Sequence, residues 1–193
     1  MNRLMMFTGG TRSGKSEAAE RWANARAAAC SGTPVVYIAT AEALDEEMRK
    51  RIDRHRARRP ENWETRETVD AVESVLPAGE AIVLIDCLSL LVSNWMLRSG
   101  LARDGESESV AGVLNRMDTL IENLRTGPWE VAVVTGEVGL GVVPAHELGR
   151  AYRDLLGECN QRLAAAADEV WLLVAGQPLQ IKSGLRNLPD WWG

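Results

Sequence analysis

Five short segments of the chain are apolar at nearly every position: residues 4–8, 35–39, 81–86, 131–135 and 170–174. None alternates apolar with polar residues as a half-exposed strand would, so each predicts a strand buried on both faces. Between them lie stretches with helical period, over residues 14–29, 44–58, 88–98, 110–125 and 146–167. The last is the plainest: Leu148, Tyr152, Leu155, Leu156, Cys159, Leu163 and Ala166 recur at steps of three and four and mark one apolar stripe. Buried strands alternating with helices predict an α/β fold, a mainly parallel β-sheet flanked by helices on both faces and wound by right-handed crossovers. A chain of 193 residues suits a single domain over 1–193. Its end, residues 176–193 with Pro178, Pro189 and the pair Trp191-Trp192, reads as a loosely held tail. Two loops stand out, a polar one at 99–108 and a glycine-rich one at 136–144. The second follows a strand and is better placed for function, because ligands of open α/β sheets collect beyond the carboxyl ends of the strands.

Composition narrows the classes. The formal net charge of −5 argues against a nucleic-acid partner, whose binding rests on neutralising phosphates. The apolar runs fall far short of the roughly 20 residues of a membrane-spanning helix. The opening residues enter a glycine motif without an apolar stretch and cleavage site, so a cytoplasmic location is expected. Cys30, Cys87 and Cys159 are too scattered for a disulfide framework or a zinc site and are expected to be reduced.

The glycine motif is specific. Gly9-Gly10-Thr11-Arg12-Ser13-Gly14-Lys15-Ser16 fits G-x-x-x-x-G-K-[ST] and lies between a predicted strand and a predicted helix, as a phosphate loop requires. Backbone N–H groups and the helix N-terminus would cradle phosphates, Lys15 would reach the β- and γ-phosphates, and the Ser16 hydroxyl would ligate Mg²⁺. A second acidic ligand is expected at the end of another strand, and Asp86 closes the apolar run 82–85. Capping the helix that follows is an alternative role for it. Gly136, Gly139 and Gly141 carry the glycine spacing of a dinucleotide fingerprint at the wrong end, which argues against a Rossmann oxidoreductase.

Residues 44–60 begin acidic and end basic, as a helix dipole prefers, and Asp45/Arg49, Glu46/Lys50 and Glu47/Arg51 are spaced for i,i+4 contact. Within this segment His55 stands among Arg54, Arg56, Arg58 and Arg59, cations that oppose a further positive charge. A neutral imidazole is a nucleophile, and attack on an α-phosphorus would divide nucleotidyl transfer into two displacements while the arginines offset charge on the phosphoryl oxygens. An ordinary surface histidine is the competing reading, and it is the one adopted for His146.

Together with the phosphate loop, Tyr37-Ile38-Ala39-Thr40-Ala41 and His55-Arg56-Ala57-Arg58-Arg59-Pro60 resemble the bifunctional adenosylcobinamide kinase/adenosylcobinamide-phosphate guanylyltransferases of cobalamin biosynthesis. The resemblance continues through Asp86-Cys87-Leu88-Ser89, Val92-Ser93-Asn94, the segment 135–144 and the segment 160–170, and spans roughly residues 4–182. It implies ATP or GTP as phosphate donor, Mg²⁺, phosphorylation of the aminopropanol hydroxyl of adenosylcobinamide, and transfer of GMP from GTP through a guanylylated histidine, here His55. The nucleotide contacts it implies are Gly9 to Ser16, Ala39, Thr40, Ala41, Arg56, Ala57, Arg58, Arg59, Glu67 and Asp86. Some relatives carry glutamate where this chain has Asp86. A homo-oligomer is implied, a trimer in particular. The large, partly apolar corrinoid could lie between subunits and involve Trp63, Trp95 or the tail. A monofunctional small-molecule kinase and a nucleotide-gated regulatory module are the alternatives.

Overall fold

The computed structural model describes residues 2–30, 32–43, 45–99 and 107–183, leaving aside the side chains of Arg51 and residues 107–109. Strands β1 (Arg3–Gly9), β2 (Val35–Ala39), β3 (Glu64–Glu67), β4 (Ala81–Asp86), β5 (Trp129–Val134), β6 (Glu169–Val174) and β7 (Gln177–Lys182) form one sheet in the order β3-β2-β4-β5-β1-β6-β7. All neighbours pair parallel except β6 and β7. The helices are α1 (Lys15–Ala29), α2 (Glu46–Arg58), α3 (Leu88–Arg98), α4 (Ser107–Thr126) and α5 (Glu147–Ala166), with a 3-10 turn at Val72–Val75.

The unbroken apolar strands are explained by a core on each face. On one, Leu4, Met6, Ile38, Ile85 and Val133 meet Leu91 and Trp95 of α3, Met117 and Leu124 of α4, and Leu156 and Leu163 of α5. On the other, the alternate residues Met5, Phe7, Tyr37, Leu84 and Val134 meet Ala19 and Ala23 of α1. Cys159 belongs to the first core, where burial pushes its thiol up to about 12 and makes it an inert packing group.

Two strands were not foreseen, for physical reasons. Strand β3 is Glu-Thr-Arg-Glu, a short polar edge with no apolar signal. Strand β7 carries Pro178, a residue confined to sheet edges, and occupies the segment expected to be a loose tail: residues 177–182 instead pair antiparallel with β6, and Lys182 Nζ donates to the carbonyls of Ala164 and Ala165. Residues 184–193, including Trp191 and Trp192, and most of the loop at 99–108 lie outside the described residues.

The β6–β7 turn matters to the phosphate loop. Gly176 N–H donates to Ser13 O at 2.9 Å, and a Cβ on Gly14 would stand 3.2 Å from Gly176 Cα. At Gly9, with φ of 152°, a Cβ would lie 2.5 Å from Leu173 O and 2.7 Å from Ser13 Oγ. Gly9→Ala is therefore expected to cost about 2–4 kcal/mol of stability, combining backbone strain with a clash against rigid main chain. A lowered urea midpoint with unchanged slope is the expected reading, and a parental midpoint would contradict the packing described.

Candidate active site

The carboxyl ends of β1, β2, β3 and β4 lie at one edge of the parallel sheet. The strand register sets Ala39 beside Glu67 on one side and beside Asp86 on the other. Three residues expected at the nucleotide thus stand in a row although they are far apart in sequence. Gly14, with φ of 92°, turns the chain out of the phosphate loop into α1, and Lys15 Nζ reaches back to Gly10 O at 2.8 Å.

Asp86 is the centre of the site. Its Oδ1 accepts from Ser16 Oγ at 3.3 Å, its Oδ2 accepts from Tyr37 Oη at 2.6 Å, and His55 Nδ1 lies 3.4 Å from Oδ2. Burial alone would push this carboxyl up, but hydrogen bonds from His55, Tyr37 and Ser16 outweigh it and hold Asp86 below its ordinary value. It is an anion at neutral pH. Its side chain does not cap α3, whose cap position is taken by Cys87.

The charges facing His55 correct the view from sequence. Its neighbours along the chain are arginines, but in space it meets carboxylates: ligand atoms of Glu20, His55 and Asp86 lie within 4.8 Å of one another. Arg58 pairs with Glu20, 3.3 Å from its carboxylate, and Arg56 pairs with Glu67. An imidazole whose Nδ1–H is held by a carboxylate has its tautomer fixed and presents Nε2 as the free nucleophilic nitrogen.

A cavity of 380 Å³ opens between β2, α2 and the end of β4, lined by Ala39, Ala41, His55, Arg56, Arg59, Glu67 and Asp86 among others. It brings together most of the residues expected beyond the phosphate loop. Three expected residues stand differently. The Thr40 hydroxyl is buried and braces β2 to β4, accepting from Cys87 N–H and donating to Cys87 O, both at 2.8 Å. Arg58 is engaged with Glu20, and Ala57 faces away from the cavity on the exposed side of α2.

Two residues of the site were missed. Tyr37 passed as one apolar position of a buried strand, yet its ring also supports the Arg59 guanidinium, 3.5 Å from the ring centroid. Burial, followed by the charge of Asp86, raises its hydroxyl well above the ordinary value, so it acts as a fixed donor. Glu20 carried a readable signal: it lies four residues after Ser16 on the same helix face, and burial, opposed by Arg58, raises its carboxyl.

Residues 5–181 match the family model described as cobinamide kinase / cobinamide phosphate guanyltransferase. The chain belongs to this family. Among curated members, it is 39% identical over 186 residues to the bifunctional adenosylcobalamin biosynthesis protein CobU of Salmonella typhimurium, covering 93% of this chain and 99% of that one. It is 42% identical over 182 residues to the bifunctional adenosylcobalamin biosynthesis protein CobP of Pseudomonas aeruginosa, covering 92% and 96%. Among solved structures, an ATPase domain is similar at a TM-score of 0.50 and 11% identity, covering 97% of this chain and 79% of that one; this likeness concerns the fold alone. The cobinamide kinase / cobinamide phosphate guanyltransferase family names both a kinase and a guanyltransferase activity. No helix among the described residues is long and apolar enough to cross a membrane.

Proposed function

We propose that this chain phosphorylates the aminopropanol hydroxyl of adenosylcobinamide and then transfers GMP from GTP onto the resulting phosphate. The family assignment supports both activities, and one observation supports their joining in a single site: Asp86 meets Ser16 of the phosphate loop with one oxygen and lies 3.4 Å from His55 Nδ1 with the other. In the kinase step the acceptor hydroxyl attacks the γ-phosphorus, the bond from that phosphorus to the β–γ bridging oxygen breaks, the nucleoside diphosphate leaves and the hydroxyl proton passes to solvent. Gly9 to Ser16 hold the phosphates of ATP or GTP, and Lys15 offsets the charge spread over the transferring group. Ser13 Oγ, buried and without a hydrogen-bond partner among the described residues, fits a phosphate oxygen in this loop.

In the guanylyl step Nε2 of His55 attacks the α-phosphorus of GTP and pyrophosphate leaves. An oxygen of the corrinoid phosphate then attacks the same phosphorus, the P–N bond breaks and His55 is regenerated. Asp86 and Tyr37 orient the imidazole, while Arg56 and Arg59 line the cavity where the guanylyl group would lie. A hydroxyl facing a carboxylate at 3.3 Å is an oxygen donor set suited to Mg²⁺, so Ser16 and Asp86 are the residues assigned to hold it. That ion would neutralise phosphate charge. Ala39, Ala41 and Glu67 are assigned to the nucleoside side of the cavity, and Thr40 to bracing it. We further propose a single catalytic domain, a cytoplasmic location and, from the resemblance, a homo-oligomer, a trimer in particular.

The test is to incubate the protein with α-labelled GTP and denature it. Label is expected to stay on the protein, labile to acid and stable to alkali, as a phosphoramidate is, and to pass to adenosylcobinamide phosphate when that acceptor is added. Unlabelled protein would remove the guanylyl half of the proposal. Nucleotide binding with neither product formed would leave a regulatory module.

A further inference from the structure

Strand β5 lies between β4, which ends in Asp86, and β1, which ends in the phosphate loop. The segment leaving β5 therefore emerges at the site itself. Its root is fastened at several points. Glu137 N–H donates to Gly9 O at 3.0 Å and Gly136 N–H to Ser89 Oγ at 3.2 Å. The buried Asn160 accepts from Thr135 Oγ1 at 2.7 Å and donates to Gly136 O at 3.0 Å. The far end is pinned as well, since Arg150 Nη1 donates to Pro144 O at 3.1 Å and to Ala145 O at 2.7 Å.

Between these anchors the side chains are apolar and turned to solvent. Val138, Leu140, Val142 and Val143 are 38%, 86%, 94% and 61% exposed. Scattered apolar residues on a surface need no account, but four within six residues, on a segment tied at both ends beside a phosphate loop, form a contiguous patch that water does not favour. The cavity assigned above to the guanylyl group lies on the other side of Asp86, lined from β2 and α2. The reactant without an assigned place is the phosphoryl and guanylyl acceptor.

We infer that residues 138–143 are the docking surface for the apolar face of the corrinoid acceptor. The inference rests on the corrinoid specificity proposed above. It follows from continuity: the patch grows out of residues bonded to Gly9 and Ser89, so a bulky ligand resting on it brings its hydroxyl or phosphate to the mouth of the phosphate loop. An apolar platform tied at both ends suits a large macrocycle that must be placed by area, because its reacting group is small and distant from most of its surface.

The test uses the full chain carrying Leu140→Ser and Val142→Ser together. KM for adenosylcobinamide is expected to rise about tenfold or more through lost apolar contact, with kcat within about twofold. Labelling of His55 by GTP alone and the native mass by light scattering are expected to stay parental. The companion variant Leu140→Met with Val142→Ile is expected to keep the parental KM. An unchanged KM in the serine variant overturns the inference. So does an equal loss in the companion, which would show that apolar character is not what counts. A smaller native mass overturns it too, assigning the patch to contact between copies of the chain. A parental protein that labels on His55 but never modifies the corrinoid refutes the proposed specificity itself, and the inference falls with it.

Discussion

His55→Ala abolishes protein-bound guanylyl label from α-labelled GTP and lowers GMP transfer at least about a thousandfold, because the group that forms the covalent link is gone. Phosphorylation of adenosylcobinamide falls by no more than a few-fold. The kinase half depends on Lys15, Ser16 and Asp86, and the 3.4 Å contact from His55 to Asp86 is only one of three donor contacts to that carboxylate. Measuring both products with the same preparation separates the outcomes. Equal loss of both would mean that His55 supports the whole site rather than performing one step. Retention of label would move the nucleophile elsewhere.

Asp86→Asn is expected to damage both reactions at once, each by about 10²–10⁴-fold in kcat. The amide has nearly the shape of the carboxylate but carries no charge, and its NH₂ group would confront one of three donors, Ser16 Oγ, Tyr37 Oη or His55 Nδ1. The phosphate-loop hydroxyl loses its anionic partner and the imidazole loses the contact that fixes its tautomer. Nucleotide binding should weaken far less, because Gly9 to Ser16 are untouched. Loss confined to one of the two reactions would show that the carboxylate does not join them.

The same residues explain what could be read in sequence. Four of the central strands were legible because a strand covered on both faces has no polar positions to interrupt it, and β6 was legible from the same kind of apolar run although only Val170 and Leu173 of it are buried and Val174 is exposed. Strand β3 was hidden for the opposite reason: Glu64, Thr65, Arg66 and Glu67 sit on a sheet edge, and none of them is apolar. The phosphate loop was legible because its chemistry depends on backbone freedom at fixed spacing, and that is written locally. The environment of His55 was not. Arg54 and Arg56 adjoin it in the chain, but a helix throws neighbours to different sides, and only folding carries Asp86 and Glu20 to its imidazole. Thr40 shows the limit from another direction, since its motif marked the right place while its hydroxyl serves Cys87.

The turn between the last two strands has a practical consequence. Ser13 O is held by Gly176 N–H, and Gly9 and Gly14 are packed against Leu173 and Gly176, so the nucleotide cradle leans on residues nearly the whole chain away. Removing the final hairpin strand, though remote from every reacting atom, would loosen that cradle at its back wall. Trimming or fusing this protein at its carboxyl side should therefore stop beyond Lys182, or the damage will be felt in catalysis before it is seen in solubility.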